Sequence, residues 1–334
     1  MTSLACMKCP KRSDELQAER RQQTKTYDAR ILVIGAGVNG SICASELHKA
    51  GVDVTMLARG KRYEELCSDG IIIENPLRKT RSVTRVPVVS VLKPDDRYDY
   101  VLVVVRKNQV RDLLPVLATN QSPAVVFMVN NPSGPDEWVA ALGRERVMLG
   151  FVFGGGKRDG NVIRAIRGGG VPTPFGELDG AMTPRLLRLV GILRRAGLKA
   201  RAAREMTDWL ATHAALVAPF AVLAMKHRCD TYELAKATDD LRLLADAMRD
   251  TVRVLRARGH HVVPRSNAIL GSLPRFILVV LFRVFLATKI AEIGGGWHCS
   301  QAPDEMRQLA VELKELMQRS GLAVPALRRV LETL

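Results

Sequence analysis

The chain has 334 residues, a formal net charge of +16 and 47% hydrophobic residues. That length leaves room for two domains with sizeable cores, and the apolar share excludes a disordered or fibrous chain. With aromatics at 5% and cations spread along the whole chain, the excess charge reads as solvated arginine-rich faces, so no nucleic-acid or membrane partner is expected.

Residues 1–28 read as a charged flexible arm, part helical over Ser13–Gln23. They carry an isolated Cys6-x-x-Cys9 without the second pair or histidine that a zinc site needs, so no metal is expected. They lack the apolar core of a leader peptide, which predicts a cytoplasmic protein with free thiols.

The stretch from Arg30 to Arg62 organises the rest of the chain. Ile31–Ile34 is a short β-branched run suited to a buried parallel strand. Gly35, Gly37 and Gly40 then fall in the spacing G-x-G-x-x-G, with Ala36, Val38 and Asn39 between them. In a strand–turn–helix context this pattern binds a dinucleotide. The first glycine allows the turn, the second admits the pyrophosphate, and the third packs helix on sheet. A helix over Ser41–Ala50 and a second strand over Val52–Leu57 complete the βαβ unit. NAD sites carry an acid about 20 residues after the first glycine. Here that window holds Arg59, Lys61 and Arg62 and no acid, which predicts a 2′-phosphate ligand and hence NADP(H).

Further along, Tyr63–Ser68 predicts a short helix and Gly70–Glu74 a strand, and polar residues then run to Thr84. Strands are predicted over Val86–Val91, Tyr100–Val105, Ala124–Val129 and Val147–Phe153, with helices over Gln109–Leu117 and Asp136–Leu142. Gly154–Lys157 reads as a loop, and Asn161–Ile166 with Val171–Gly176 as a hairpin. A helix over Pro184–Ala196 and a strand over Leu198–Ala202 close this half. From Glu205 the period becomes helical: Met206–Arg228, Thr231–Leu241, Leu243–Arg258, Leu273–Ile290, Pro303–Ser320 and Pro325–Leu334. The apolar run Phe276–Leu286 is too short to span a bilayer and predicts a buried helix or a subunit contact. The fold class expected is α/β: a Rossmann-type doubly wound sheet over 29–204, then an all-α substrate and dimerisation domain over 205–334.

Several segments, in order, resemble the ketopantoate reductase family, which reduces 2-dehydropantoate with NADPH. They are VIGAGVNG, LARGKR, VVVRKNQV, MVNNPSGPDEW, GFVFGGGKRDGNVIRAI, FGELDG, HCSQAPDEM and GLAVPAL. The resemblance implies that Arg59 meets the 2′-phosphate and that Arg106 and Asn131 line the nicotinamide. It also implies that Ser300, in an H-x-S-x-x-x-D context with His298 and Asp304, contacts substrate, and that Glu312 belongs to the active site. The family's catalytic lysine and two asparagines fall on Leu210 or Ala211, Ala214 or Ala215, and Ala218. Ketone reduction develops an alkoxide that needs a proton and a positive charge, which this apolar face does not supply. His213 is the nearest titratable group and the expected acid, unless Lys157 or Lys226 enters the cleft. The resemblance thus implies an NADPH-dependent reductase of a small carbonyl or imine other than ketopantoate, acting as a homodimer. The alternative is an NADP-binding pseudoenzyme that serves as a sensor or scaffold.

Overall fold

The computed structural model describes residues 29–152, 154–167 and 172–333. The arm, its expected helix over Ser13–Gln23, Cys6 and Cys9 lie outside them, as do Phe153 and Val171. In chain order the strands are β1 Arg30–Ile34, β2 Asp53–Leu57, β3 Ile71–Asn75, β4 Thr80–Thr84, β5 Val88–Val89 and β6 Tyr100–Val103. They continue as β7 Val125–Phe127, β8 Val147–Gly150, β9 Gly154–Asp159, β10 Val162–Arg167, β11 Thr173–Glu177 and β12 Ala200–Ala202.

Eight of these form one sheet in the order β12-β11-β8-β7-β6-β1-β2-β5. The six from β8 across to β5, with β1 among them, run parallel, while β11 is antiparallel to β8 and carries β12 parallel to itself. The apolar run in β1 is continuous because both faces of the sheet are covered. Ile31 and Val33 face the layer under the glycine-turn helix Val38–Lys49, whereas Leu32 and Ile34 face the layer that contains Trp138. This is the doubly wound arrangement expected.

A second sheet, β4-β3-β10-β9, was only partly legible. The polar stretch before Thr84 is strand β4, an antiparallel partner of β3, and its residues are mostly exposed or half-exposed. The hairpin is β9–β10, not Asn161–Ile166 with Val171–Gly176. Its two-residue loop is Gly160-Asn161, with Gly160 at φ +58°, so the glycines of 154–156 are strand rather than loop. Strand β11 is buried along its whole length and therefore joins the main sheet.

Among the described residues no strand follows Ala202. The helical half is built on Met206–Lys226, with Thr238–Ala257, Pro303–Ser320 and Pro325–Leu331 packed around it. Two boundaries differ from expectation. A break at Ala237 separates Thr231–Lys236 from Thr238–Ala257, and the segment after Leu273 is helical over Arg275–Leu286 and again over Lys289–Ala291. Likewise, Gln109–Leu117 is not one helix but two 3-10 turns, Lys107–Gln109 and Arg111–Leu113, before the helix Leu114–Thr119. The Arg275–Leu286 helix buries Leu278, Val279 and Leu286 but leaves Phe276 70% and Val284 65% exposed, so it is not a buried helix. Met206–Lys226 is long and apolar enough to cross a bilayer, but 67% of its apolar window is buried inside the protein, as befits a core helix.

Candidate active site

The glycine turn leaves β1 at the carboxyl edge of the sheet, where doubly wound folds bind their ligands. Its three glycines are not equivalent. Gly35 sits at φ +110°, and a Cβ there would lie 2.2 Å from the Val104 carbonyl oxygen. A Cβ at Gly40 would lie 1.8 Å from the Gly35 carbonyl oxygen. Beside Gly37, by contrast, nothing lies within 4 Å of the Cβ position. Gly35 and Gly40 are required by packing, and Gly37 faces open space of the kind a pyrophosphate fills. Gly37 is also the N-cap of the Val38–Lys49 helix and offers no side chain to its first amides, so these remain available to an anion. The Asn39 side chain points elsewhere. Its Oδ1 accepts the Gly154 amide at 2.9 Å and ties the turn to β9.

The three cations after β2 separate into two roles. Arg59 caps the helix Gly60–Asp69, and both Arg59 and Lys61 are exposed. Arg62 is buried: its Nε donates to the Ala36 carbonyl at 3.2 Å and its Nη1 to the Asn161 carbonyl at 3.2 Å and to Glu65 at 3.1 Å. Burial holds its guanidinium below the ordinary arginine range. Arg62 therefore buttresses the glycine turn, and Arg59 and Lys61 are the cations left free to face a ligand.

At the end of β6 the expected cation proves to be the wrong neighbour. Arg106 turns away from the sheet edge. Its Nη1 meets Asp304 at 3.0 Å and its Nη2 donates to the Gln301 carbonyl, while Asn108 Nδ2 reaches the same Asp304 at 2.7 Å. Arg106 thus straps the sheet domain to the start of the Pro303–Ser320 helix. Lys107 points inward instead. Its Nζ, in a side chain only 8% exposed overall, lies 2.6 Å from Asn131 Oδ1 and 3.3 Å from Ser133 Oγ, and stands 5.2 Å over the Trp138 ring. Ser133 donates to Glu312 Oε2 at 2.7 Å, and Gln308 donates to Oε1 at 2.9 Å. Burial pushes the Lys107 ammonium below the usual lysine range, and the Glu312 carboxylate opposes that shift. Glu305, one helix face with Glu312, accepts the Lys107 amide and Asn130 Nδ2, each at 3.3 Å, and its other oxygen lies 3.5 Å from His298 Nε2. Asn131 and Glu312, expected in the site, are thus brought together. Lys107, Ser133 and Glu305 join them without having been singled out in the sequence.

His213 lies on the half-open side of the Met206–Lys226 helix, stacked on Trp209 at 5.1 Å between ring centroids and met edge-on by Phe151 at 4.4 Å. Burial first, then the charge of His298, pulls its pKa from 6.5 to about 4. At neutral pH the imidazole is uncharged, which fits poorly with the proton-donor role expected of it. The alanines of this helix do not line a cleft: Ala211, Ala214, Ala215 and Ala218 are at most 1% exposed within the helical core. Leu210 packs into the sheet-face layer with Phe127, Val129 and Trp138. Lys226 is held by Asp240 at 2.8 Å, and Lys157 stands 4.8 Å over the Trp297 ring, so neither reaches Lys107 and its partners. Ser300 is exposed and its hydroxyl donates to the Trp297 carbonyl of its own helix.

Between Lys157 and Ser300 the two halves touch main chain to main chain. A Cβ at Gly155 of β9 would lie 2.5 Å from Gly294 Cα, within the π-helical turn Glu292–Gly296. A cavity of about 630 Å³ opens elsewhere, between the later part of the Val38–Lys49 helix and the small sheet, lined by Ile42, Glu46, Ile73, Arg167 and Lys199. It includes neither the glycine turn nor Lys107. Among the described residues no cluster of three metal-ligating side chains forms.

A doubly wound sheet with an open glycine turn, closed by helices over its carboxyl edge, defines the class: a Rossmann-type fold with a helical second half. Residues 31–180 match the family described as Ketopantoate reductase PanE/ApbA. They are similar to the ketopantoate reductase-like family, and the chain carries its fold. A 2-dehydropantoate 2-reductase from Archaeoglobus fulgidus is 29% identical over 180 residues, 53% of this chain and 57% of that protein. The match thus spans little more than half of the relative's length. The structure of D-mandelate dehydrogenase with NADH and anilino(oxo)acetate superposes with a TM-score of 0.74 at 14% identity, covering 91% of this chain and 96% of the other. A 2-dehydropantoate 2-reductase from Geobacter metallireducens does so at 0.73 and 16% identity, covering 91% and 98%.

Proposed function

We propose that this chain is an NADP(H)-dependent reductase of a small carbonyl or imine compound other than ketopantoate. The observation that carries the reading is the open side of Gly37 in a turn followed, after β2, by the exposed Arg59 and Lys61. The turn amides would hold the pyrophosphate, and Arg59 with Lys61 would hold the 2′-phosphate. Asn131, at the end of β7, would stand beside the nicotinamide. When bound, the reduced nicotinamide would supply a hydride. The chain's own part is to place the carbonyl, exclude water and provide a proton. The positions where the resemblance puts a lysine and two asparagines carry only alanine and leucine, which favours a substrate other than ketopantoate. The exposed apolar side of the Arg275–Leu286 helix supports a homodimer.

A second reading, a cofactor-binding protein without turnover, draws on the absence of any cation beside the uncharged His213 on its helix. Titration with NADPH and NADH, followed by NADPH consumption against a panel of 2-keto acids and imines, separates the two. Tighter NADPH than NADH binding is expected, with the Arg59→Ala variant losing about tenfold in NADPH affinity and little in NADH affinity. Equal affinity for both cofactors overturns the NADP reading. Binding without consumption across the panel selects the second reading, and no binding of either cofactor removes both.

A further inference from the structure

Reduction of a carbonyl needs a positive charge and a proton at the oxygen. On the Met206–Lys226 helix the side open to the cleft carries Trp209, His213 and Phe220, and its one lysine is paired with Asp240. From the sheet side the answer is different. The 3-10 turn that begins at Lys107 redirects the chain just beyond β6 and turns this lysine inward. Two of the three ammonium protons are taken by Asn131 Oδ1 and Ser133 Oγ, and the third has no partner among the described residues. The charged groups that face Nζ are Glu312 from the Pro303–Ser320 helix, Glu137 from the Asp136–Leu142 helix and Arg111 from the neighbouring 3-10 turn. Burial lowers the proton affinity of Nζ, and Glu312 keeps the loss partial, a balance suited to a group that must give a proton and recover it.

We propose that Lys107, and no group on the Met206–Lys226 helix, supplies the ammonium that charges and protonates the substrate oxygen, with Ser133 and Glu312 as its positioning residues. This rests on the reductase reading of the chain. In the step, the carbonyl carbon gains a hydride from the reduced nicotinamide, and the oxygen keeps the C=O electron pair. That oxygen takes a proton from Nζ, so an N–H bond breaks as the O–H bond forms. The neutral amine regains its proton from solvent before the next turnover.

The test uses the full chain with Lys107→Met, Lys107→Arg and His213→Phe. NADPH affinity is measured first, then binding of oxamate, an unreactive mimic of a 2-oxo acid, to the NADPH-loaded protein, and last turnover. Lys107→Met should bind NADPH as wild type does, bind oxamate at least about tenfold more weakly, and lose turnover by about a hundredfold or more. Lys107→Arg keeps the charge but cannot release its proton, so oxamate affinity should return while turnover does not. His213→Phe should keep both. Oxamate affinity indifferent to Lys107→Met, or wild-type turnover in Lys107→Arg, overturns the inference. The second criterion holds even if the Met variant does not fold. Wild-type protein that binds NADPH but not oxamate also overturns it, whereas failure to bind NADPH at all removes the reductase reading itself.

Discussion

Replacing Gly37 and Gly40 with alanine, one at a time, separates what the glycine turn does for the fold from what it does for a ligand. Gly37 sits at φ −79° and ψ −163°, a conformation open to any residue, and a methyl group there meets nothing within 4 Å. The expected cost to the fold is that of a weaker N-cap, about 0.5–1 kcal/mol, or a fall in melting temperature of no more than about 4 °C. At Gly40 the methyl group would lie 1.8 Å from the Gly35 carbonyl oxygen, so the turn has to open. That strain belongs at the upper end of overpacking, about 3 kcal/mol. The effect on cofactor runs the other way relative to stability. The Gly37 methyl group occupies the place of the pyrophosphate and breaks one charge-assisted amide bond, worth about 1.5–3 kcal/mol. NADPH affinity should therefore fall by about ten- to a hundredfold in a protein that melts almost as wild type does. Paired thermal melts and fluorescence titrations measure both quantities. NADPH affinity within about threefold of wild type in Gly37→Ala would show that the phosphates do not sit at this turn. A melting loss in Gly37→Ala as large as that in Gly40→Ala would refute the division of labour among the glycines.

The helix opposite gives two further outcomes. His213 titrates at about 4 in the folded protein against an ordinary 6.5. Above about pH 6.5 both folded and unfolded chains hold it neutral and it adds no pH dependence. Between 6.5 and 4 only the unfolded chain takes the proton, so stability falls as the pH drops, by up to about 3 kcal/mol from this group. Urea unfolding at about pH 4.5 and 7 should show that loss in wild type and a shallower one in His213→Phe; equal losses would mean the imidazole is not enclosed. The Leu210→Lys substitution places an ammonium at one of the two positions where the family resemblance puts its lysine, yet Leu210 is 2% exposed within the sheet-face layer. It should destabilise the protein by on the order of 3–5 kcal/mol, as an uncompensated buried charge does, and should not raise turnover; a stable variant with enhanced NADPH consumption would contradict that packing.

The features legible in the sequence were those written locally. The glycine spacing, the run in β1 and the acid-free end of β2 each lie within a few residues, and the turn they predict is present. What stayed hidden depends on which way a side chain turns. Arg106 and Lys107 are adjacent cations at a strand end, and only the 3-10 turn after β6 decides that the first goes to Asp304 and the second to Asn131. The second sheet was obscured because β4 is mostly polar and exposed, so its ladder leaves no alternation to read. Glu305 was recoverable from its place beside the expected Glu312. They fall with Leu309 and Leu316 at i, i+4, i+7 and i+11, inside the buried stripe of their helix, and a carboxylate within such a stripe signals a buried partner.

The contact of Gly155 with Gly294 acts as a spacer of fixed length between the halves. It lies one residue from Gly154, whose amide is held by Asn39 in the glycine turn, and two from Lys157 over Trp297. Because it is made of main chain, no change of rotamer can lengthen or shorten it. Through Gly154 and Gly155, consecutive residues of β9, the glycine turn is thus joined to the Glu292–Gly296 turn, and His298 and Ser300 lie just beyond it.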